Sequence, residues 1–194
     1  WERGVHTWDA FDPSLDVPGV GATTADRIES FIATARGHLD DGNAAYFDRH
    51  FPSGERWRLY EDFRNRTCFF DIETTGLDEH RDQVTTVSFY RAGETTTLVA
   101  GDDLSADRIA AQFREADLLA SFNGARFDVP FLEASFDVDV DTPHLDLMYP
   151  CRRAGLSGGL KSIERTLGIY RDRGDLTGRD VFRLWYEYER GDEY

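Results

Sequence analysis

The chain has almost no lysine. Of its 22 basic side chains only Lys161 is one, and there is a single methionine, Met148. Positive charge of any kind is short: 22 bases face 37 acids, for a net charge of −15 and an isoelectric point near 4.6. A surface this acidic repels phosphate in dilute salt. Cysteine is scarce too. Cys68 and Cys151 lack the spacing of metal ligands, so neither a disulfide framework nor a zinc ribbon fits. Cys68 lies in an apolar run and reads as a small buried thiol in a reduced, cytoplasmic setting. No stretch approaches the ~20 apolar residues of a membrane helix, and no secretory signal is visible. Internal repeats and low-complexity runs are absent.

What is present is a core. At 194 residues, with 40% hydrophobic side chains, the chain has room for one sizeable domain and a small appendage. Residues 1–66 read as a helical N-terminal appendage. A helix opens at about Ala22, with Ile28, Phe31, Ile32 and Ala35 on one face and Thr23 with Asp26 as a capping pair. Asn43–Phe51 suggests a second short helix, and Pro52-Ser53-Gly54 breaks the chain after it.

From residue 67 the pattern changes. Strands are predicted at 67–72, 84–90 and 94–100, with Ala92-Gly93 as a turn. A helix follows at 104–116, a strand at 117–122, a helix at 127–136 and a strand at 140–146. Helices are predicted at 159–167 and 178–190, the last with Val181, Leu184, Trp185 and Tyr188 at helical spacing. A meander followed by alternation predicts an α/β fold with a mixed sheet flanked by helices.

Asp71-Ile72-Glu73-Thr74-Thr75-Gly76-Leu77 ends the first predicted strand. Residues two apart in a strand point the same way, so Asp71 and Glu73 share a face. Two acids there cost desolvation and repel each other. A divalent cation with oxygen ligands relieves both. The turn after them offers backbone amides to a phosphate or a nucleotide end. Downstream, Ser121–Leu132 follows a short apolar strand. Asn123-Gly124 signals a turn and Pro130 suits a first helical turn, which sets Asp128 near a helix N-terminus. Ordinary capping explains a lone Asp in that position. A second acid at a second strand end suggests a shared site.

Together, Phe70–Leu77 and Ser121–Leu132 resemble the first two motifs of the DEDD-type 3′–5′ exonucleases, which have the ribonuclease-H-like fold. The segments His144–Arg153, Gly159–Glu164, Leu167–Ile169 and Leu176–Val181, with Leu184-Trp185, resemble the YprB-like group within them. The resemblance spans about residues 55–194. It implies that Asp71, Glu73 and Asp128 are the first three metal acids, binding two Mg²⁺ or Mn²⁺ ions that hydrolyse phosphodiester bonds of DNA or RNA. It implies that Thr74, Thr75, Gly76, Leu77 and Asn123 touch the nucleic acid, with Leu77 as a wedge. The partner is then single-stranded nucleic acid or a frayed 3′ end, with no membrane involved. The family's fourth acid, in a Tyr-Asn-x-x-Asp-like helix, has no match before Tyr194. The ribonuclease-H-like domain, 67–194, is therefore expected to lack its last helix. A non-catalytic nucleic-acid-binding module of the same fold, or a proofreading domain of family-B-polymerase type, are the alternatives.

The remaining candidates are weaker. His144 and Asp146 read as a buried, hydrogen-bonded structural pair. Asp78, Glu79 and Asp82 read as solvated loop acids. Arg126, Arg152, Arg153 and Lys161 flank the presumed cleft and are candidates to pair with phosphate. Trp57, Tyr60 and Phe63 read as a core-packing cluster, with base stacking as the alternative. Val17–Ala25 resembles the hairpin of a helix-hairpin-helix motif, though a plain turn and cap explains it. The acid-rich, lysine-poor composition also resembles proteins of salt-loving archaea, in which screening lengths fall to about 3 Å at 1 M salt.

Overall fold

The computed structural model describes residues 4–170 and 178–190. Five segments of alternating or continuous apolar character form one mixed sheet, in the order β3-β2-β1-β4-β5. They are β1 (Thr67–Thr74), β2 (Val84–Arg91), β3 (Glu94–Val99), β4 (Leu118–Ser121) and β5 (His144–Asp146). The β1–β2 and β2–β3 pairs are antiparallel; β1–β4 and β4–β5 are parallel. The helices are α1 (Ala22–Asp40), α2 (Ala44–His50), α3 (Leu59–Phe63), α4 (Ala106–Arg114), α5 (Asp128–Phe136), α6 (Met148–Arg153), α7 (Leu160–Thr166) and α8 (Gly178–Glu189). This is the mixed α/β architecture that the sequence predicts.

Each sheet face carries its own core. The period of two sends Cys68, Phe70 and Ile72 of β1 to one face, where they meet Val87, Phe89 and Leu119 and the α4 and α5 residues Ile109, Phe113, Phe131 and Leu132. On the other face Leu118 and Leu145 meet Ala35, Ala44, Phe47, Leu59 and Phe63 of the first three helices. Full burial of each large side chain contributes about 1.5–3 kcal/mol. Burial also pushes the Cys68 thiol up to about 11, which leaves it unreactive.

Strand lengths position the site. β1 pairs with β4 only over Thr67–Phe69 and then runs on to Thr74, while β4 stops at Ser121. Beyond Phe69 the β4 side of β1 is therefore open to other partners. On the other side the β1–β2 register slips between Glu73 and Thr74, with Thr85 as the extra residue. The Thr85 hydroxyl donates to the Glu73 carbonyl at 3.0 Å. Bulges of this kind re-aim a strand end beside functional sites.

Several expectations change. β1 extends two residues past the predicted end, so Asp71 and Glu73 lie within the strand. In α1 the inward line is Ala25, Ile28, Ile32 and Ala35; Phe31 is 48% exposed and lies against Tyr46 and His50. The α1 N-cap is Gly21, not a Thr23–Asp26 pair. Its turn forms with Val20 N–H donating to Val17 O at 3.0 Å. The short helices α3 and α6 were not predicted. α6 contains Pro150, and its start is fixed from outside, by Asp146 accepting the Met148 N–H. Of the predicted aromatic cluster only Phe63 is buried, at 4%; Trp57 and Tyr60 are each 41% exposed. In α8, Leu184 and Trp185 are half-buried and Tyr188 is exposed. Leu176-Thr177 and the Val181 side chain lie outside the described residues. Among the described residues no helix is long and apolar enough to cross a membrane.

Candidate active site

Asp71 and Glu73 follow Phe69 along one face of β1, opposite the core positions Phe70 and Ile72. Asp71 is exposed and Glu73 half-buried. Asp128, the first residue of α5, is buried to 4%. Its Oδ1 accepts the Ile72 N–H at 3.1 Å. That amide belongs to the stretch of β1 that β4 leaves open, so the carboxylate takes the place of a missing strand neighbour. It thereby bonds the residue that separates Asp71 from Glu73 in the chain.

The electrostatics follow from this crowding. Burial raises the Asp128 carboxyl to about 7, and the Asp71 charge adds to the effect; the Ile72 N–H opposes it. Burial and then Asp71 also raise Glu73, and Lys161 pulls it back. The single lysine of the chain thus acts at the acid pair. Hard, mutually repelling carboxylate oxygens are the donor set that a hard divalent cation takes. Among the described residues, however, no three His, Cys, Asp or Glu side chains are arranged as a group around one ion position. The donor chemistry fits a Mg²⁺- or Mn²⁺-type ion, and the side chains are not closed around one.

A second buried aspartate builds the frame. Asp146, 5% exposed, ends β5. Its Oδ1 accepts N–H donors from Asn123 at 2.8 Å and Met148 at 2.9 Å, and its Oδ2 accepts from Ala125 at 3.3 Å. It clamps the β4–α5 loop that carries Asp128. His144 shares this frame: its Nε2 lies 2.8 Å from the Ser121 hydroxyl, and burial lowers its pKa against the pull of Asp146. Asn123 adopts φ 67°, a left-handed conformation that asparagine tolerates. Gly124 is needed for close approach: a Cβ there would meet Ser121 Oγ at 2.1 Å and Asp128 Oδ2 at 3.2 Å.

The β1–β2 loop is also braced. Thr74 Oγ1 donates to Gly76 O at 2.5 Å. Thr75 donates its N–H to Gln83 O at 2.9 Å and its hydroxyl accepts the Gln83 N–H at 2.9 Å. The Thr75 amide is therefore occupied, contrary to its expected role toward a ligand. Asp82 is not a plain solvated acid. Its Oδ2 accepts the Asp78 N–H at 2.9 Å, and its carboxylate fills the space a Cβ on Gly76 would take, at 2.2 Å. At the tip of this braced turn Leu77 is 84% exposed. Of the flanking cations, Arg153 pairs with Glu55 at 3.0 Å and Arg126 and Arg152 are exposed.

The structure thus brings Asp71, Glu73 and Asp128 to one stretch of β1 and sets Thr74–Leu77 and Asn123 on the two loops beside it. Sequence reasoning missed the framing roles of Gly124, Asp82 and the Thr85 bulge, and the action of Lys161 on Glu73. Only the glycine beside Asn123 carried a local signal.

Comparison with known proteins agrees with this fold. The family B DNA polymerase of the hyperthermophilic archaeon Pyrobaculum calidifontis superimposes with a TM-score of 0.53 and 18% identity, covering 64% of this chain and 21% of the polymerase. The chain spans about a fifth of that protein. NrnC of Brucella melitensis, in a structure bound to pGG, gives a TM-score of 0.46 and 18% identity over 68% of this chain and 72% of its own. At 18% identity the likeness to the polymerase concerns the fold. No curated protein matches the chain. The family model of the RNase H superfamily matches residues 68–194, which hold the sheet from Cys68 onward and all three acids. The chain belongs to the RNase H superfamily.

Proposed function

We propose that this protein is a metal-dependent nuclease that removes nucleotides from the 3′ end of DNA or RNA. The observation that carries the reading is the approach of buried Asp128 to the Asp71–Glu73 pair at the open edge of β1. The family match from residue 68 supports a catalytic domain of 67–194, with α1, α2 and α3 packed on it.

In this reading Asp71, Glu73 and Asp128 hold two Mg²⁺ or Mn²⁺ ions. Such ions, when bound, supply an activated water and stabilise the leaving oxygen. The chain's own residues do the rest. Asp146 fixes the loop that aims Asp128. Lys161 holds Glu73 toward its charged form. The Asp82 and Thr75 braces stiffen the 74–84 turn, and Leu77 stands out from it to separate the terminal base from its neighbour. Asn123 faces the same end from the other loop.

A non-catalytic nucleic-acid-binding module is the second reading, favoured by one observation: the absence, among the described residues, of a three-ligand group arranged around an ion. The test uses 5′-labelled single-stranded DNA and RNA with Mn²⁺ in molar KCl. Products shortened stepwise from the 3′ end are expected. Asp71→Asn should lower the rate by more than the roughly 10–100-fold that supporting residues around a metal cost. Tight binding with no cutting of either polymer decides for the module.

A further inference from the structure

Trp57 is the wall between two cavities. The smaller, of 170 Å³, lies between the 3₁₀ turn Ser53–Arg58 and the β5–α6 corner, with Ala125 and Asp146 among its lining and Tyr149 and Arg153 beside them. The larger, of 790 Å³, opens against Trp8, Phe47, Phe51 and Tyr60. Trp57 lines both. A packing cluster would bury its rings, as Phe63 is buried at 4%. Instead Trp57 and Tyr60 are each 41% exposed and Tyr149 47%.

Cations stand around these rings. The Arg58 guanidinium lies 4.5 Å from the centre of the Trp57 ring. Arg56 and Arg153 line the smaller cavity with Trp57. Arg58 and Arg153 share Glu55, and Arg56 pairs with the half-buried Asp48. The surface pairs that Arg58 and Arg153 make with Glu55 contribute little to stability, so a phosphate can displace them. Three guanidiniums thus stand about exposed aromatic faces, interleaved with the carboxylates of Asp9, Asp48, Glu55, Glu61, Asp62 and Asp146. Rings to stack on and guanidiniums for phosphates are the chemistry of single-strand binding. The smaller cavity falls below the ~300 Å³ of pockets that enclose a drug-sized molecule, and so suits one inserted ring rather than a whole nucleotide.

The surface also leads to the acids. The Tyr60 and Phe69 rings meet edge to face with centres 6.0 Å apart. Phe69 precedes Asp71 by two residues on the same face of β1. We propose that Trp57, Tyr60 and Tyr149, with Arg58 and Arg153, form a stacking platform for the unpaired nucleotides that precede the 3′ end in the Asp71–Glu73–Asp128 site. The proposal rests on the nuclease reading for the strand's direction, and on the aromatic surface for its binding.

Binding is measured by fluorescence anisotropy of a labelled oligothymidylate in EDTA and molar KCl, where hydrolysis is off and simple charge attraction is screened. W57A and Y60A should each weaken binding about tenfold. W57F, which keeps a ring, should retain most of the affinity. Hydrolysis of bis(p-nitrophenyl) phosphate, too small to span the platform, should be unchanged in all three. Equal affinity of the W57A/Y60A double variant, or no binding by the unaltered protein, overturns the platform. So does a loss of affinity that W57F fails to recover and that accompanies a fall in melting temperature, since that is a folding effect. If the small diester and oligonucleotides are never hydrolysed while W57A and Y60A still weaken binding, the nuclease reading fails and the platform stands.

Discussion

Asp128 at the head of α5 and Asp146 at the end of β5 are equally buried, at 4% and 5%, and close enough for one charge to act on the other. Their surroundings differ. Asp146 accepts N–H donors from Asn123, Ala125 and Met148, and its charge is spent on holding backbone. Asp128 accepts the Ile72 N–H and faces Asp71, so its carboxyl rises to about 7. Burial is thus a poor guide to role. Which groups surround the charge separates a carboxylate that builds the site from one held ready for a cation.

The largest test of this contrast is Asp146→Ala. Hydrogen bonds to a charged group are worth about 1.5–3 kcal/mol each, and the amides left behind are unsatisfied. A loss of about 4 kcal/mol in urea unfolding is expected, with raised hydrogen exchange over residues 121–128. A loss below about 1 kcal/mol would place Asp146 beside Asp128 as a site residue rather than a frame.

Asp128→Asn should do the opposite. The folded pKa of Asp128, about 7, lies above its ordinary 3.8, so the folded state binds the proton more tightly. Its contribution is intact at acid pH, is lost as pH rises from about 4 to about 7, and the full penalty is present above that. In metal-free protein at pH 8, Asp128→Asn should add about 4 kcal/mol of stability and flatten the slope between those limits. Destabilisation at pH 8 would mean that the bond to Ile72 outweighs the buried charge.

Gly124→Ala tests how closely the two regions are fitted. A Cβ at 2.1 Å from Ser121 Oγ and 2.8 Å from its Cβ forces the loop to move. Overpacking of this kind costs about 2 kcal/mol, and Asp128 should leave the Ile72 amide. A variant with unchanged stability and an unchanged pH profile would show that the loop has slack.

Much of this was legible in the sequence. The strand pattern and the Asp71-x-Glu73 spacing are local, and period-two alternation carries them directly. The Asn123-Gly124 turn and the helix start at Asp128 are local too. What was not legible depends on partners far along the chain. The Ile72 amide becomes available because β4 is four residues long, and Asp128 reaches it from 56 residues away. Asp82 seats under Gly76 through a loop that composition describes only as polar. Trp57 and Tyr60 have the pattern of packed aromatics, and only the shape of the helical layer leaves them open.

Salt offers the smallest and most selective test. The acidic surface predicts that stability rises as KCl enters the molar range, where the screening length falls from about 10 Å at 0.1 M to about 3 Å at 1 M. That surface is nearly the same in the unaltered protein and in Asp128→Asn, so its relief should appear in both. The repulsion of Asp128 by Asp71 exists only in the first. Partly buried charges are weakly screened, so the unaltered metal-free protein at pH 8 should gain only about 0.5 kcal/mol more than the variant. Equal gains would assign the raised Asp128 carboxyl to burial alone, and the case for a shared cation would lose its electrostatic part. A melting temperature that is flat or falling with KCl in both proteins would instead remove the high-salt reading of the surface. Asp146, whose charge is already matched by amides, should show no such difference between low and high salt in the unfolding cost of Asp146→Ala. The same salt series therefore separates a charge awaiting a partner from one that has its partners already.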